Sequence, residues 1–240
     1  VQDATTNYLA LYFDYFYGLK EEKEIDSFAS YFEQYNLQET NNFIDYTEAI
    51  NSAIFDLDDL HTRIMDTGQV MPDYVLDDNF TIGSKVDLYS TAHVQNKCGL
   101  QTESFQYTQV DENTHLFQIV RFESDTGDLF EQYLPYLDPN ENVVIDLTCN
   151  TGGSLQGVIE LLAYLTEENI PVSHINSKTN QIIHEFYTSD KDAVEDINLF
   201  VVTSQVTYSA ANVFATVVRD LELGMLIGDH TLGGSSALVF

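Results

Sequence analysis

Residues 142–154 read NVVIDLTCNTGGS, and this stretch decides the fold. Its first half, 142–147, is a short run rich in branched apolar residues, which is typical of a strand buried in a parallel sheet. The double glycine, Gly152 and Gly153, lets the chain turn tightly before a helix that the sequence predicts over 155–165. A buried strand, a glycine turn and a helix together indicate the first half of a strand–helix–strand crossover.

The sequence on both sides continues this alternation of strands and helices. Further strands are predicted at 115–122, 172–176, 182–187, 199–203 and 225–227, and further helices at 128–137 and 210–220. Strands that alternate with helices are typical of an α/β layer. The sequence therefore predicts an α/β core of parallel strands and crossover helices over 115–240.

The first 62 residues predict a separate helical region. Apolar and aromatic residues recur there at helical spacing, with a break at Gly18. We expect Asp26 or Ser27 to cap the second helix and Thr40 to cap the third. The aromatic stripe on these helices is a packing surface or, alternatively, a peptide-binding groove. Between the two regions, 63–114 is an irregular segment with short apolar pieces at 74–76 and 86–89.

Composition and charge exclude several classes of partner. The chain has 240 residues, and its 9 Lys and Arg against 39 Asp and Glu give a formal charge of −30. This charge repels phosphate backbones and anionic lipid surfaces, so we expect no nucleic acid partner, and basic polypeptides are easier partners. No apolar run reaches about 18 residues, which predicts no integral membrane segment. The two cysteines, Cys98 and Cys149, are expected to be free thiols.

Three features could carry chemistry. Ser209 follows a predicted strand and begins a predicted helix, where a hydroxyl lies beside unpaired N–H groups; it is a nucleophile or simply a helix cap. The Gly152–Gly153 pair points N–H groups at a ligand or only makes a turn. His61 follows an acidic cluster and is a base or a surface residue. The histidine spacing does not indicate a metal site.

Taken together, these pieces resemble a known family. The segments LDDLHTRI, NVVIDLTCNTGGS, TSQVTYSAANVFA and LIGDHTLGGSS occur in this order, at 57–64, 142–154, 203–215 and 226–236. Their order is similar to that of S41 peptidases, the tail-specific or C-terminal processing proteases, and the resemblance covers about 43–236. It implies a crotonase-like or ClpP-like α/β core.

The resemblance also implies roles for individual residues. It matches Ser209 to the nucleophile and His61 to the histidine of a D-x-H-T segment. The N–H groups of Ala210 and of Gly152 or Gly153 would form the oxyanion hole. No metal or organic cofactor is implied. Cys149 is a less favoured alternative nucleophile, because no histidine is adjacent to it in sequence.

Departures from the family pattern indicate which branch of the family the chain resembles. Gly234 lies where many members carry the lysine of a Ser–Lys dyad, which indicates the histidine-dependent branch similar to the tricorn core. The acidic third residue of that branch is expected beyond Phe240. Thr148 replaces the usual arginine, and Asn212 replaces the usual glutamate. The interval 62–118 is too short for a full PDZ domain.

The resemblance therefore implies a serine endopeptidase that acts through an acyl-enzyme on polypeptides, including basic or unfolded ones. Two alternatives stay open: a non-catalytic peptide-binding or scaffold protein on the same fold, and a crotonase-like acyl-CoA enzyme, which the acidic composition disfavours. The expected location is extracellular or in the bacterial cell envelope. The start at Val1 agrees with a processed chain.

Overall fold

The computed structural model describes residues 2–40, 42–59, 61–62, 98, 103–167, 169–175, 179, 181–187, 191–194 and 196–234. These residues belong to two compact units, one with the first three helices and one with the main sheet. The helices are α1 (Gln2–Phe16), α2 (Phe28–Glu33), α3 (Phe43–Asp56), α4 (Thr126–Glu131), α5 (Leu155–Ala163) and α6 (Ala210–Asp220). The apolar pieces predicted at 74–76 and 86–89 lie outside the described residues. The domain boundaries at 62 and 114 stay predictions.

The helical unit packs around aromatic side chains. Phe13 of α1 contacts Phe28 and Phe32 of α2, with ring centroids 4.9 and 5.7 Å apart, and all three are buried. The predicted packing surface therefore forms the core of this unit. Ser27 caps α2 as predicted, since its side chain accepts a hydrogen bond from the N–H of Ser30.

The predicted cap of α3 is wrong. Asn42 caps this helix, because its Oδ1 accepts the N–H of Asp45 at 3.0 Å. The hydroxyl of Thr40 instead donates to the carbonyl of Leu37. Asparagine and threonine are both common caps, and the sequence does not say at which of them the helix begins. Within the described ranges, every helix is too short or too polar to span a lipid bilayer.

Among the described residues, the main sheet has five strands in the order β1-β2-β3-β6-β7. The strands are β1 (Phe105–Asp111), β2 (Thr114–Ile119), β3 (Asn142–Asp146), β6 (Asn198–Thr203) and β7 (Met225–Gly228). Strand β1 is antiparallel to β2, and all other neighbours are parallel. The predicted strands at 172–176 and 182–187 are β4 (Pro171–Ile175) and β5 (Ile182–Tyr187), which form a separate two-stranded sheet.

Helices on the sheet complete the α/β core. The predicted helices at 155–165 and 210–220 are confirmed as α5 and α6. The helix predicted at 128–137 is two pieces, α4 and a short 3-10 helix at Leu134–Tyr136. Pro135 is the reason, because it has no N–H to continue an α-helix. The core between sheet and helices includes Phe117, Ile145 and Phe214, all fully buried.

A buried polar network holds the amino-terminal edge of the sheet. The ring of His115 is 1% exposed and bonds Glu141 through Nε2 and the Tyr107 hydroxyl through Nδ1, each at 2.9 Å. The N–H of Asp138 also donates to Glu141, and both contacts lower the pKa of that carboxyl. A lowered folded-state pKa means that this contribution to stability is present above the ordinary carboxyl pKa and is lost as the pH falls through the folded value.

Cys98 and Cys149 form a disulfide, with Cα atoms 5.6 Å apart. The expectation of two free thiols is therefore wrong. The two residues are 51 positions apart in sequence, and no local pattern reports that the fold brings them together. The bond attaches Cys98 to the turn that follows β3.

Reducing this disulfide should destabilise the protein. Closing a loop of this length removes entropy from the unfolded chain, so we expect reduction to cost about 2–4 kcal/mol of the free energy of unfolding. Denaturant titrations with and without reductant measure the loss. The double variant Cys98→Ser/Cys149→Ser is the control and should be insensitive to reductant. Equal stability of the oxidised and reduced wild type would contradict this prediction.

Candidate active site

Ser209 lies at the start of α6 in an unusual backbone conformation. Its φ is 55° and its ψ is −122°, and its side chain does not cap the helix. A positive φ is costly for a residue with a Cβ, and such strain concentrates at functional sites. The interpretation of Ser209 as an ordinary helix cap therefore does not hold. The serine lies at the turn between a strand and a helix, near the unpaired N–H groups of the first helical turn.

The glycine turn after β3 lies against this serine. Gly152 has φ +110°, and a Cβ built on it would lie 2.7 Å from Cβ and 3.1 Å from Oγ of Ser209. Gly153 has φ +129°, and a Cβ there would lie 2.1 Å from the carbonyl oxygen of Phe122. Both positions therefore require glycine. The structure places Gly152 beside Ser209, and Gly153 and Ala210 are the next residues in their two segments.

Three hydrogen bonds join the turn after β3 to the loop after β6. The hydroxyl of Thr207 donates to the carbonyl of Leu147 at 2.8 Å. The hydroxyl of Ser204 donates to the carbonyl of Thr148 at 2.5 Å. The N–H of Tyr208 donates to the carbonyl of Asn150 at 3.0 Å. These hydrogen bonds therefore fix the position of Ser209 relative to the glycines.

The N–H groups around Ser209 are not equivalent. The N–H of Gly152 is engaged, since it donates to Oδ1 of Asn150 at 2.8 Å. Among the described residues, the N–H groups of Gly153 and Ala210 have no hydrogen-bond acceptor. Two such donors near a hydroxyl can bind an oxyanion. The sequence reasoning missed Asn150, although an asparagine that directly precedes a glycine turn is a signal for a side-chain-to-backbone bond.

The loop after β7 completes the surroundings of the serine. The N–H of Ser209 donates to the carbonyl of Gly233 at 2.9 Å. Gly234 has φ +81°, and a Cβ there would lie 2.2 Å from the ring of Tyr208. A lysine at position 234 would therefore require Tyr208 to move. The hydroxyl of Thr231 donates to Oδ1 of Asn212 at 2.6 Å. Asn212 is the residue at the position where the resemblance implies a glutamate.

His61 belongs to the unit that contains α1–α3. The carboxylate of Asp59 accepts the N–H of His61 at 3.0 Å and the hydroxyl of Thr62 at 2.6 Å, so the turn around the histidine is well defined. Ser209 belongs to the other unit, and the pairing of the two stays a prediction.

The structure also bears on Cys149 as a nucleophile and on metal binding. Cys149 is bonded to Cys98 and is therefore not available as a nucleophile. The part of the chain that the structure describes contains no group of three or more His, Cys, Asp or Glu side chains suited to hold a metal ion.

Comparisons with known proteins show which family the sequence matches. The sequence profile of peptidase family S41 matches residues 113–238. A carboxyl-terminal-processing protease from Picosynechococcus is 32% identical over 93 residues, which are 39% of this chain and 22% of that protein. A tail-specific protease from Haemophilus influenzae is 30% identical over 96 residues, 39% of this chain and 13% of that protein. The chain thus spans less than a quarter of the length of these curated relatives.

The fold has a close counterpart among solved structures. The crystal structure of a candidate peptidase from Parabacteroides merdae matches with a TM-score of 0.64 at 18% identity. The match covers 96% of this chain and 76% of that one. At this identity the likeness supports the fold alone.

Two glycines allow a direct test of the contact with Ser209. Gly152 and Gly233 both have positive φ, but a Cβ at Gly233 would meet no atom within 4 Å. Both Gly→Ala variants carry backbone strain, and only Gly152→Ala adds a collision with Ser209. We expect Gly152→Ala to lose about 1–3 kcal/mol more free energy of unfolding than Gly233→Ala. Denaturant titrations measure the difference, and equal losses would mean that Gly152 does not contact the serine.

Proposed function

The chain belongs to peptidase family S41, and from that membership we propose that it is a serine endopeptidase acting on polypeptides. The observation that carries the proposal is the placement of Gly152 against the Ser209 hydroxyl, on a serine held at a positive φ at the start of a helix. This arrangement suits a nucleophile, because its attack on a peptide carbonyl places negative charge on the carbonyl oxygen, and neighbouring N–H groups can bind that charge.

Ser209 attacks the carbonyl carbon of the scissile peptide bond through Oγ, and its proton passes to a general base. The N–H groups of Gly153 and Ala210 hold the oxygen that becomes negative in the tetrahedral intermediate. We choose Gly153 over Gly152 because the N–H of Gly152 is already engaged by Asn150. The base returns the proton to the leaving amine as the C–N bond breaks, and water then hydrolyses the acyl-enzyme by the same route.

The proposed base is His61. A histidine titrates near neutrality and can accept the serine proton without assistance from a metal or organic cofactor. The family lysine has no equivalent, because position 234 is a glycine packed against the ring of Tyr208. This packing supports the histidine-dependent branch, similar to the tricorn core.

The disulfide supports an oxidising location. Disulfides persist in secreted and envelope proteins and are rare in reducing compartments. The Cys98–Cys149 bond therefore favours an extracellular or bacterial envelope site for this chain, where polypeptide substrates are available outside the cytoplasm.

Labelling with a fluorescent fluorophosphonate tests the nucleophile and the base. We expect Ser209→Ala to abolish labelling, since the probe reacts with an activated serine. His61→Ala should slow labelling by about 10²–10⁴-fold, the usual contribution of a general base. His230→Ala is the matched control, because His230 is exposed and lies in the loop that approaches Ser209. It should label like the wild type.

Each other outcome points to a different conclusion. Loss of labelling in His230→Ala but not in His61→Ala would replace His61 as the base. Labelling only in a natural form that extends past Phe240 would mean that the missing acid is required. No labelling of any form would favour the alternative of a non-catalytic peptide-binding protein.

The charge of the chain predicts a substrate preference. With a formal charge of −30, we expect a fluorogenic peptide flanked by lysines to have a kcat/KM about tenfold higher than the same peptide flanked by glutamates at low ionic strength. The difference should shrink as salt screens the interaction. Equal kcat/KM values for the two peptides at every salt concentration would contradict this preference.

A further inference from the structure

Asn150 lies in the middle of the turn that follows β3 and is completely buried. A buried amide needs partners for its oxygen and its nitrogen, because an unbonded polar atom costs free energy. Both atoms are bonded. Oδ1 accepts the N–H of Gly152 at 2.8 Å, and Nδ2 donates to the carbonyl of Ile119 at 2.9 Å. The side chain therefore ties the glycine turn to the end of β2.

The main chain of Asn150 reaches a third segment. Its carbonyl accepts the N–H of Tyr208, the residue immediately before Ser209, at 3.0 Å. One residue thus bonds to the end of β2, to the glycine turn and to the segment that carries the serine. No other part of the described site joins these three elements through a single residue.

These bonds also set the direction of the Gly153 N–H. The carbonyl of Gly152 accepts the N–H of Phe122 at 2.9 Å. The peptide bonds are trans, so the N–H of Gly153 points opposite to that carbonyl and away from Phe122. Oδ1 of Asn150 accepts the N–H of the preceding residue, Gly152. The orientation of this turn therefore depends on the Asn150 side chain.

We propose that Asn150 is a positioning residue, which holds the Gly153 N–H at a constant distance and direction from the Ser209 hydroxyl. This inference rests on the proposed function and assigns Asn150 no contact with substrate. Without the amide the turn relaxes, and the oxyanion loses a well-placed donor. Because that donor acts on charge formed in the transition state, kcat falls while KM is preserved.

The experiment compares the wild type with Asn150→Ala, Asn150→Asp and the control Asn142→Ala. Asn142 begins β3, the strand that precedes the turn, and its Nδ2 donates to Thr114 Oγ1 at 3.3 Å at the opposite edge of the sheet. Three quantities are measured: kcat and KM on a fluorogenic peptide, and the rate of amide hydrogen exchange at Gly152. Ser209→Ala provides the background rate.

We expect Asn150→Ala to lower kcat by about 10²-fold, with KM within about twofold and faster exchange at Gly152. Asn142→Ala should keep the wild-type kcat. A buried aspartate retains its proton and can then replace both the donor and the acceptor of the amide. Asn150→Asp should therefore recover about tenfold or more of the lost kcat, and lose it as rising pH ionises the carboxyl.

Several results would overturn the inference. Asn150→Ala and Asn142→Ala with the same kcat would do so, as would equal exchange at Gly152 in the wild type and Asn150→Ala. If Asn150→Ala does not fold, an Asn150→Asp variant with wild-type kcat at every pH overturns it. Equal rates for the wild type and Ser209→Ala would refute the proposed function instead, so the two failures are distinguishable.

Discussion

The parallel pairing of β3 with β6 is the constraint on which the site depends. In this register Asp146 lies opposite Val202, so the two strands end side by side at one edge of the sheet. Carboxyl ends of neighbouring parallel strands deliver their loops to the same place. The glycine turn after β3 and the loop that leads to Ser209 therefore meet without any long connection. Side-chain hydroxyls of Ser204 and Thr207 then join them.

Buried polar groups are hydrogen-bonded differently at the two edges of the sheet. At the amino-terminal edge, His115 is bonded at both ring nitrogens, and the network joins β1 and β2 to the residue that precedes β3. At the carboxyl edge, the amide of Asn150 is bonded at both ends, yet two backbone N–H groups near Ser209 have no acceptor within the described residues. Ser209 has a positive φ at this edge. Donors without an acceptor beside a residue in that conformation support the proposed oxyanion hole.

The elements with strong local signals could be predicted from the sequence. Helix α6 has the predicted bounds because its apolar positions repeat at helical spacing. The sequence does not indicate strand β1, because most of its residues are exposed on an edge strand and the apolar alternation is weak. The sequence predicts strands β4 and β5 but not their separate sheet, since pairing partners are not encoded locally. Gly152, Gly153, Ser209 and Ala210 were indicated by the resemblance to S41 peptidases, in which four motifs match in order, and their roles stay proposals.

The sequence by itself determined the alternation of strands and helices, the acidic charge and the types of residue at the site, because these are properties of local composition and spacing. Only the tertiary structure decided that Cys98 bonds Cys149, that Gly152 rather than Gly153 has its N–H engaged, and that Tyr208 fills the space beside Gly234. Each of these depends on the distance between segments that are far apart in the chain. Such distances follow from packing and strand register, which no local pattern contains.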